Sequence, residues 1–259
     1  MDRNDEFASS VDRSELSSLL RLMSDKVDPA LLNLLLREGG NFLRSVGSSE
    51  SNSEPDADAE KRIAPNPHWQ RDVIDGMIPE KASILDLGCG EGSLLEWLGS
   101  TKASVVQGVE LDADKVAACV EKGIPVIQTD LDFGLKVFPD GCFDWVILEE
   151  TLQTLRHPDS IIAEMRRVGR RGIVSFPNFG YWRVRLDLAV RGRMPVTSWL
   201  PHRWYRTPNI HLFSIRDFID YAEEIGMRIL HIQVLENGVG RSFHKGDNLY
   251  AEEAVVFFE

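Results

Sequence analysis

Positive charge is scarce in this chain. Its 29 lysines and arginines are outnumbered by 41 acids, for a net charge of −12 and a pI near 5.0. A nucleic-acid backbone is bound by clustered cations that displace its counterions, so nucleic acid is not an expected partner. The richest basic run, Arg183 to Arg206, is broken by aromatics and prolines; it either lines an anionic pocket or is a solvated face. Cysteine is rare too. Cys89, Cys119 and Cys142 are odd in number and lack metal-ligand spacing, which argues against a disulfide framework and against a metal site. That usage suits a reducing cytoplasm. No apolar run approaches the ~20 residues that span a bilayer. The start, Met1-Asp2-Arg3-Asn4-Asp5-Glu6, lacks the basic and apolar regions of a signal peptide. The expectation is a soluble cytoplasmic protein without membrane contact.

What is present is concentrated in Ser83-Ile84-Leu85-Asp86-Leu87-Gly88-Cys89-Gly90-Glu91-Gly92-Ser93. A short apolar strand runs into a glycine-rich turn and then opens a helix. Bare backbone at Gly88, Gly90 and Gly92 lets a ligand approach to hydrogen-bond distance. Val105 to Glu110 is a second strand, ending in an acid about 20 residues on, the placement that binds ribose hydroxyls in nucleoside-binding βαβ units. The glycine spacing is G-x-G-x-G, not the dinucleotide G-x-G-x-x-G. Asp86, two residues before the first glycine, would repel a pyrophosphate, so a nicotinamide oxidoreductase is disfavoured. A sulfonium and an α-amino group suit an acid. The D-x-G-x-G-x-G form resembles the first motif of class I S-adenosylmethionine-dependent methyltransferases. A third acid, Asp130, follows the apolar strand Pro125–Gln128; the resemblance implies that it accepts from the adenine amino group, with Asp132 as competitor and a turn-capping role as the alternative. The cofactor-binding candidates are therefore Asp86, Gly88, Cys89, Gly90, Gly92, Glu110, Leu111, Asp130, Leu131 and Glu149. For Cys89 the alternative is a small buried residue.

The rest of the chain alternates strand and helix. Helices are predicted over 67–78, 93–98, 113–121 and 160–168. Strands are predicted over 83–87, 104–109, 125–128, 143–148 and 172–176. Alternation of this kind gives a doubly wound, mostly parallel sheet. A helix over 215–225, opened by Ser214 and Asp217 at capping-box spacing, precedes strands over 227–235 and 250–258 joined by a loop, hence antiparallel. The sum is the seven-stranded class I methyltransferase fold with an antiparallel last strand. Residues 177–213, rich in aromatics and arginine, form an insertion that leaves from a strand's carboxyl end, the ligand side of such sheets. Residues 1–62 differ: leucines at helical spacing and then an acidic linker predict a helical extension ahead of a domain over 63–259.

A closer resemblance rests on runs outside the glycine loop. Val168 to Leu186, Gly192-Arg193-Met194-Pro195-Val196-Thr197, Trp204 to His211 and Thr151-Leu152-Gln153-Thr154 resemble the methionine biosynthesis protein MetW family, over roughly residues 66 to 235. The resemblance implies association with homoserine O-acyltransferase and support of its activity. Two features depart from the family pattern: the extension over 1–62, and the acids Glu149-Glu150 before Thr151.

Methyl transfer needs a general base only when the acceptor keeps its proton at neutral pH. His157, His202 and His211 are the candidates, because imidazole titrates near neutrality; Glu149 and Glu150 lie at the same strand end. No N-P-P-Y-type amide clamp follows the fourth strand, which argues against methylation of DNA or amide nitrogen. The open alternatives are an accessory cofactor-binding protein and an active methyltransferase on a small molecule.

Overall fold

The computed structural model describes residues 69–103, 105–197 and 199–259. The helical extension and linker expected over 1–62, and the domain boundary there, lie outside the described residues.

Helix α1 (Trp69–Met77) leads into β1 (Ser83–Leu87), α2 (Ser93–Thr101), β2 (Val105–Glu110), α3 (Ala113–Glu121) and β3 (Val126–Gln128). Then come β4 (Phe143–Leu148), α4 (Pro158–Val168), β5 (Gly169–Pro177), α5 (Trp182–Arg191) and α6 (Ile215–Glu224). The chain ends through β6 (Ile229–Glu236), β7 (Val239–Ser242), the short α7 (Asp247–Tyr250) and β8 (Glu253–Phe258). The eight strands form one sheet in the order β3-β2-β1-β4-β5-β8-β6-β7. β1 to β5 are mutually parallel. β8 runs antiparallel between β5 and β6.

The central strands are apolar on both sides because both faces are covered. On one face Val146, Leu148, Val174 and Phe176 pack with Ile161 and Met165 of α4 and Phe218 of α6. On the other, Ile84, Trp145, Ile147 and Ile173 pack with Ile74 of α1 and Leu94, Leu95 and Leu98 of α2. α6 opens with the expected capping box: Asp217 N–H donates to Ser214 Oγ and Ser214 N–H donates to Asp217 Oδ2.

Four expectations change. The sheet has eight strands, not seven, because Asn237-Gly238 turns β6 back into β7, with φ of +51° and +78°. Asn-Gly is a strong two-residue hairpin signal. The connection to the last strand is accordingly not a plain loop but β7 plus α7. The insertion also carries α5, which the aromatic-basic composition masked. β5 starts three residues before its apolar run, because Arg170 and Arg171 occupy an exposed strand end.

Candidate functional site

The strand order reverses between β1 and β4, and ligands of open α/β sheets bind at such a switch, beyond the strands' carboxyl ends. The glycine turn after β1 sits there. Gly90 holds φ +57°, and a Cβ built on it would meet nothing within 4 Å. Main chain thus faces open space, in a conformation that favours glycine. Gly92 is different: at φ +77° its added Cβ would strike Ile124 Cδ1 at 2.6 Å, so a side chain there would push the loop off α3 and the turn after it. Gly88 is likewise left-handed at φ +73°.

Glu110 closes the loop from β2. Its Oε2 accepts from Gly90 N–H at 2.8 Å, and its Oε1 accepts from Leu111 and Asp112 N–H at 2.8 and 2.9 Å. A carboxylate offers about four lone-pair sites, so the side chain both shapes the loop and retains acceptor capacity. Asp130 caps a short 3₁₀ turn, Leu131–Phe133, with Asp132 N–H donating to its Oδ1 at 2.9 Å. Asp132 is occupied differently, accepting from Arg156 and His157 N–H, and braces the loop before α4. Of the two competitors, Asp130 keeps an oxygen without a donor among the described residues. Leu131 is buried, while Leu111 is exposed on the rim, as is Phe133, which sequence reasoning passed over.

Asp86 is 3% exposed, and no donor among the described residues reaches its carboxyl. Burial, then the charges of Glu149 and Glu110, push its pKa well above the ordinary carboxylate range. Glu149, ending the β4 side of the switch, is raised to about 7, first by burial and then by Glu150; Arg71 opposes the shift. Arg71 comes from α1. Its guanidinium lies 5.1 Å over the Trp97 ring, and its buried Nε has no hydrogen-bond partner among the described residues. Three carboxyls thus cluster, with Arg71 acting on Glu149 among the described residues, so the site favours a positively charged ligand. The acids continue outward. Gln70 Nε2 donates to Glu150 Oε1 at 2.9 Å and to Glu253 Oε2 at 3.1 Å, and Trp69 Nε1 donates to the same Glu253 oxygen at 2.8 Å. Burial, followed by Glu150, raises Glu253 to about 8. Glu150 itself adopts a left-handed φ of +46°, held by its N–H donating to Ser175. Gln70, Arg71 and Glu253 had no signal in the sequence, because nothing local links α1 or β8 to the switch point.

The remaining candidates separate. Cys89 packs beneath the loop with its Sγ 4.0 Å from Cys119 Sγ, while Cys119 Sγ donates to Gly90 O at 3.2 Å. Burial raises the Cys89 thiol, so it stays a neutral packing group and offers a ligand only main chain. His157 is the exposed residue preceding α4. His202 is exposed on the insertion. His211 lies beside the turn after β4: its N–H donates to Gln153 O at 3.0 Å, and its buried Nε2 has no partner among the described residues. Among the described residues no group of acids, histidines and cysteines is placed to hold a metal, and no helix is long and apolar enough to cross a membrane.

An open glycine loop beside a donor-free buried acid and two further carboxyls suits S-adenosylmethionine, whose sulfonium and ammonium are both cationic. Comparison with known proteins bears on the fold and the family. The chain is 35% identical to the bifunctional methionine biosynthesis protein MetXA/MetW of Rhodopirellula baltica over 193 residues, 70% of this chain and 31% of the relative. It thus spans about a third of that relative's length. An S-adenosylmethionine-dependent methyltransferase from Mesorhizobium loti superposes with a TM-score of 0.55 at 17% identity, covering 74% of this chain and 96% of that one. The [4+2]-cyclase SpnF superposes at 0.53 and 16% identity, covering 73% and 80%. These two likenesses establish the class I methyltransferase fold, and the cyclase illustrates that the fold does not name the reaction. The family described as methionine biosynthesis protein MetW matches residues 70–258, and the chain belongs to it.

Proposed function

We propose that this chain binds S-adenosylmethionine in the cradle after β1 and, in that form, associates with and activates homoserine O-acyltransferase. The observation that carries the cofactor half is Asp86: a buried, donor-free carboxyl flanked by Glu149 and Glu110. In this reading Asp86 and Glu149 meet the cationic end, Glu110 takes a ribose hydroxyl with the acceptor site it retains, and Asp130 takes the adenine amino group between Leu111, Leu131 and Phe133. Gly88, Gly90 and Gly92 give close main-chain approach, and Cys89 holds the loop from below. The bound cofactor supplies an electrophilic methyl; the protein supplies orientation. The partner half is supported by the Rhodopirellula relative, in whose name MetXA and MetW share one bifunctional chain. We take its MetXA half to be the acyltransferase.

A second reading, methyl transfer to a small acceptor, is favoured by Glu149, whose pKa near 7 suits a proton acceptor at the switch point; His211, with its unpartnered Nε2, is the other candidate. One experiment separates the two. The acyltransferase is assayed with and without this chain and with and without S-adenosylmethionine, and S-adenosylhomocysteine is followed. Activation without S-adenosylhomocysteine supports the accessory role. Turnover on a metabolite pool without the acyltransferase overturns it.

A further inference from the structure

The insertion departs from the rest of the chain in charge. Of 259 residues, 41 are acidic, yet none falls between Asp187 and Asp217, where five arginines do. Its aromatics divide in two. Trp182 packs against the small cluster of Tyr181, Val184 and Leu200, and Trp199 against the core on the α1 face of the sheet. Trp204 is 74% exposed and Tyr205 55%. Those two rings meet edge to face at 5.6 Å. Arg203 Nη1 donates to the Tyr205 hydroxyl at 3.3 Å, and Arg206 lies over the Tyr205 ring at 5.9 Å. Four consecutive side chains thus form an ordered projection with no packing role in the core. Downstream, the extended stretch before α6 alternates: Phe213 turns in against Phe176 at 4.7 Å, whereas Ile210 and Leu212 remain more than half exposed.

Trp, Tyr and Arg are the side chains that anchor protein interfaces. An aromatic cluster already ordered loses little entropy on docking. Exposed apolar groups rimmed by charge mark interaction sites. The sign of the charge selects the partner: a cationic patch on a protein of net charge −12 attracts an acidic protein face, while the whole-molecule field repels a polyanion such as DNA. We infer that the Arg203-Trp204-Tyr205-Arg206 projection, with Ile210 and Leu212, is the surface that docks an acidic face of a partner protein. This rests on the accessory reading above, in which the partner is the acyltransferase.

The test uses the full chain and the acyltransferase in titration calorimetry, with S-adenosylmethionine binding and thermal unfolding measured alongside. Trp204→Ala with Tyr205→Ala should weaken association at least tenfold and leave cofactor affinity and unfolding temperature unchanged. Arg203→Glu with Arg206→Glu should weaken association at low salt and remove its salt dependence. If the wild-type proteins associate and both double variants bind as tightly, this surface is wrong while the accessory reading stands. If the wild-type proteins do not associate, the accessory reading falls and takes the assigned occupant with it. Trp204-dependent self-association of this chain in sedimentation, or Arg203-dependent binding to duplex DNA, also overturns the proposal.

Discussion

The two ends of the sheet treat acidic side chains in opposite ways. At the amino ends of β4 and β5 each acid has a donor. Arg167 donates to both oxygens of Glu164, to Asp140, and to the carbonyls of Leu135 and Phe138. Asp144 accepts from the backbone and hydroxyl of Ser83 and lies 3.5 Å from Arg170. Glu164 and Asp144 are correspondingly held below the ordinary range, Glu164 chiefly by Arg167 and Asp144 by Ser83. At the carboxyl ends Asp86, Glu149 and Glu253 are all raised, with burial the largest cause in each. The same residue type therefore stabilises one end and burdens the other. Glu253 is held by neutral donors from Trp69 and Gln70 and Asp86 by none among the described residues. No arginine fork offsets these acids as Arg167 does Glu164, and such perturbed buried acids mark a functional-site candidate.

Substitutions at the two ends should fail differently. Glu110→Ala removes the acceptor for three N–H groups and should have the largest effect. The expected loss of S-adenosylmethionine affinity is about 3 kcal/mol, at the upper end for a charged hydrogen-bonding group, or roughly a hundredfold in calorimetry. Unchanged affinity would remove Glu110 from the site. Arg167→Ala, at the other end, should cost about 2 kcal/mol of stability, because it strands the Leu135 and Phe138 carbonyls and leaves Glu164 with only the Leu135 N–H, and leave cofactor affinity untouched. A loss of affinity there would break the division between the ends. Asp86→Asn should move two readouts in opposite directions. Removing a buried carboxyl without a donor raises the unfolding temperature of the free protein, while cofactor affinity falls by about 1–2 kcal/mol. A drop in both would make Asp86 a structural acid like Glu164.

Much of this contrast was legible in the sequence, and the reasons are local. Asp86, the glycines and Glu110 sit on one strand-turn-helix unit and the next strand, so their spacing carried their geometry. Ser214 and Asp217 announced their helix in the same way. What the sequence hid is what distant segments bring. Trp69 and Gln70 reach Glu253 across more than 180 positions, and Arg71 acts on Glu149 from a helix with no motif of its own. Asn237-Gly238 was readable as a hairpin, yet lay inside a stretch read as one loop. Asp132 stood as a close competitor to the preferred Asp130, and their different main-chain partners became visible only in the fold.

The two ends should also answer differently to pH. Glu149 at about 7 and Glu253 at about 8 lie above the ordinary 4.5, so the folded protein holds protons that the unfolded chain releases. Their contribution to stability is complete below about pH 4.5 and is lost as pH rises through 7 and then 8. The free protein's unfolding temperature should therefore fall between pH 6 and pH 8. Cofactor affinity should rise over the same interval, because ionised Glu149 attracts a cation, and Glu149→Gln should flatten that rise. A pH-independent affinity in the wild type would separate Glu149 from the cofactor.

The smallest effect belongs to the matched end. Arg170 is three-quarters exposed and approaches Asp144 only to 3.5 Å, so solvent and salt screen most of the pair. Asp144 also keeps its two Ser83 donors without it. Arg170→Ala should therefore change stability by no more than about 0.5 kcal/mol, within the scatter of a denaturant titration, whereas Ser83→Ala removes one of the donors that hold Asp144 and should cost about 1 kcal/mol. If Arg170→Ala proved the more damaging, the amino end would depend on ion pairing rather than on hydrogen bonds to Ser83. The contrast between the ends would then reduce to the number of arginines at each.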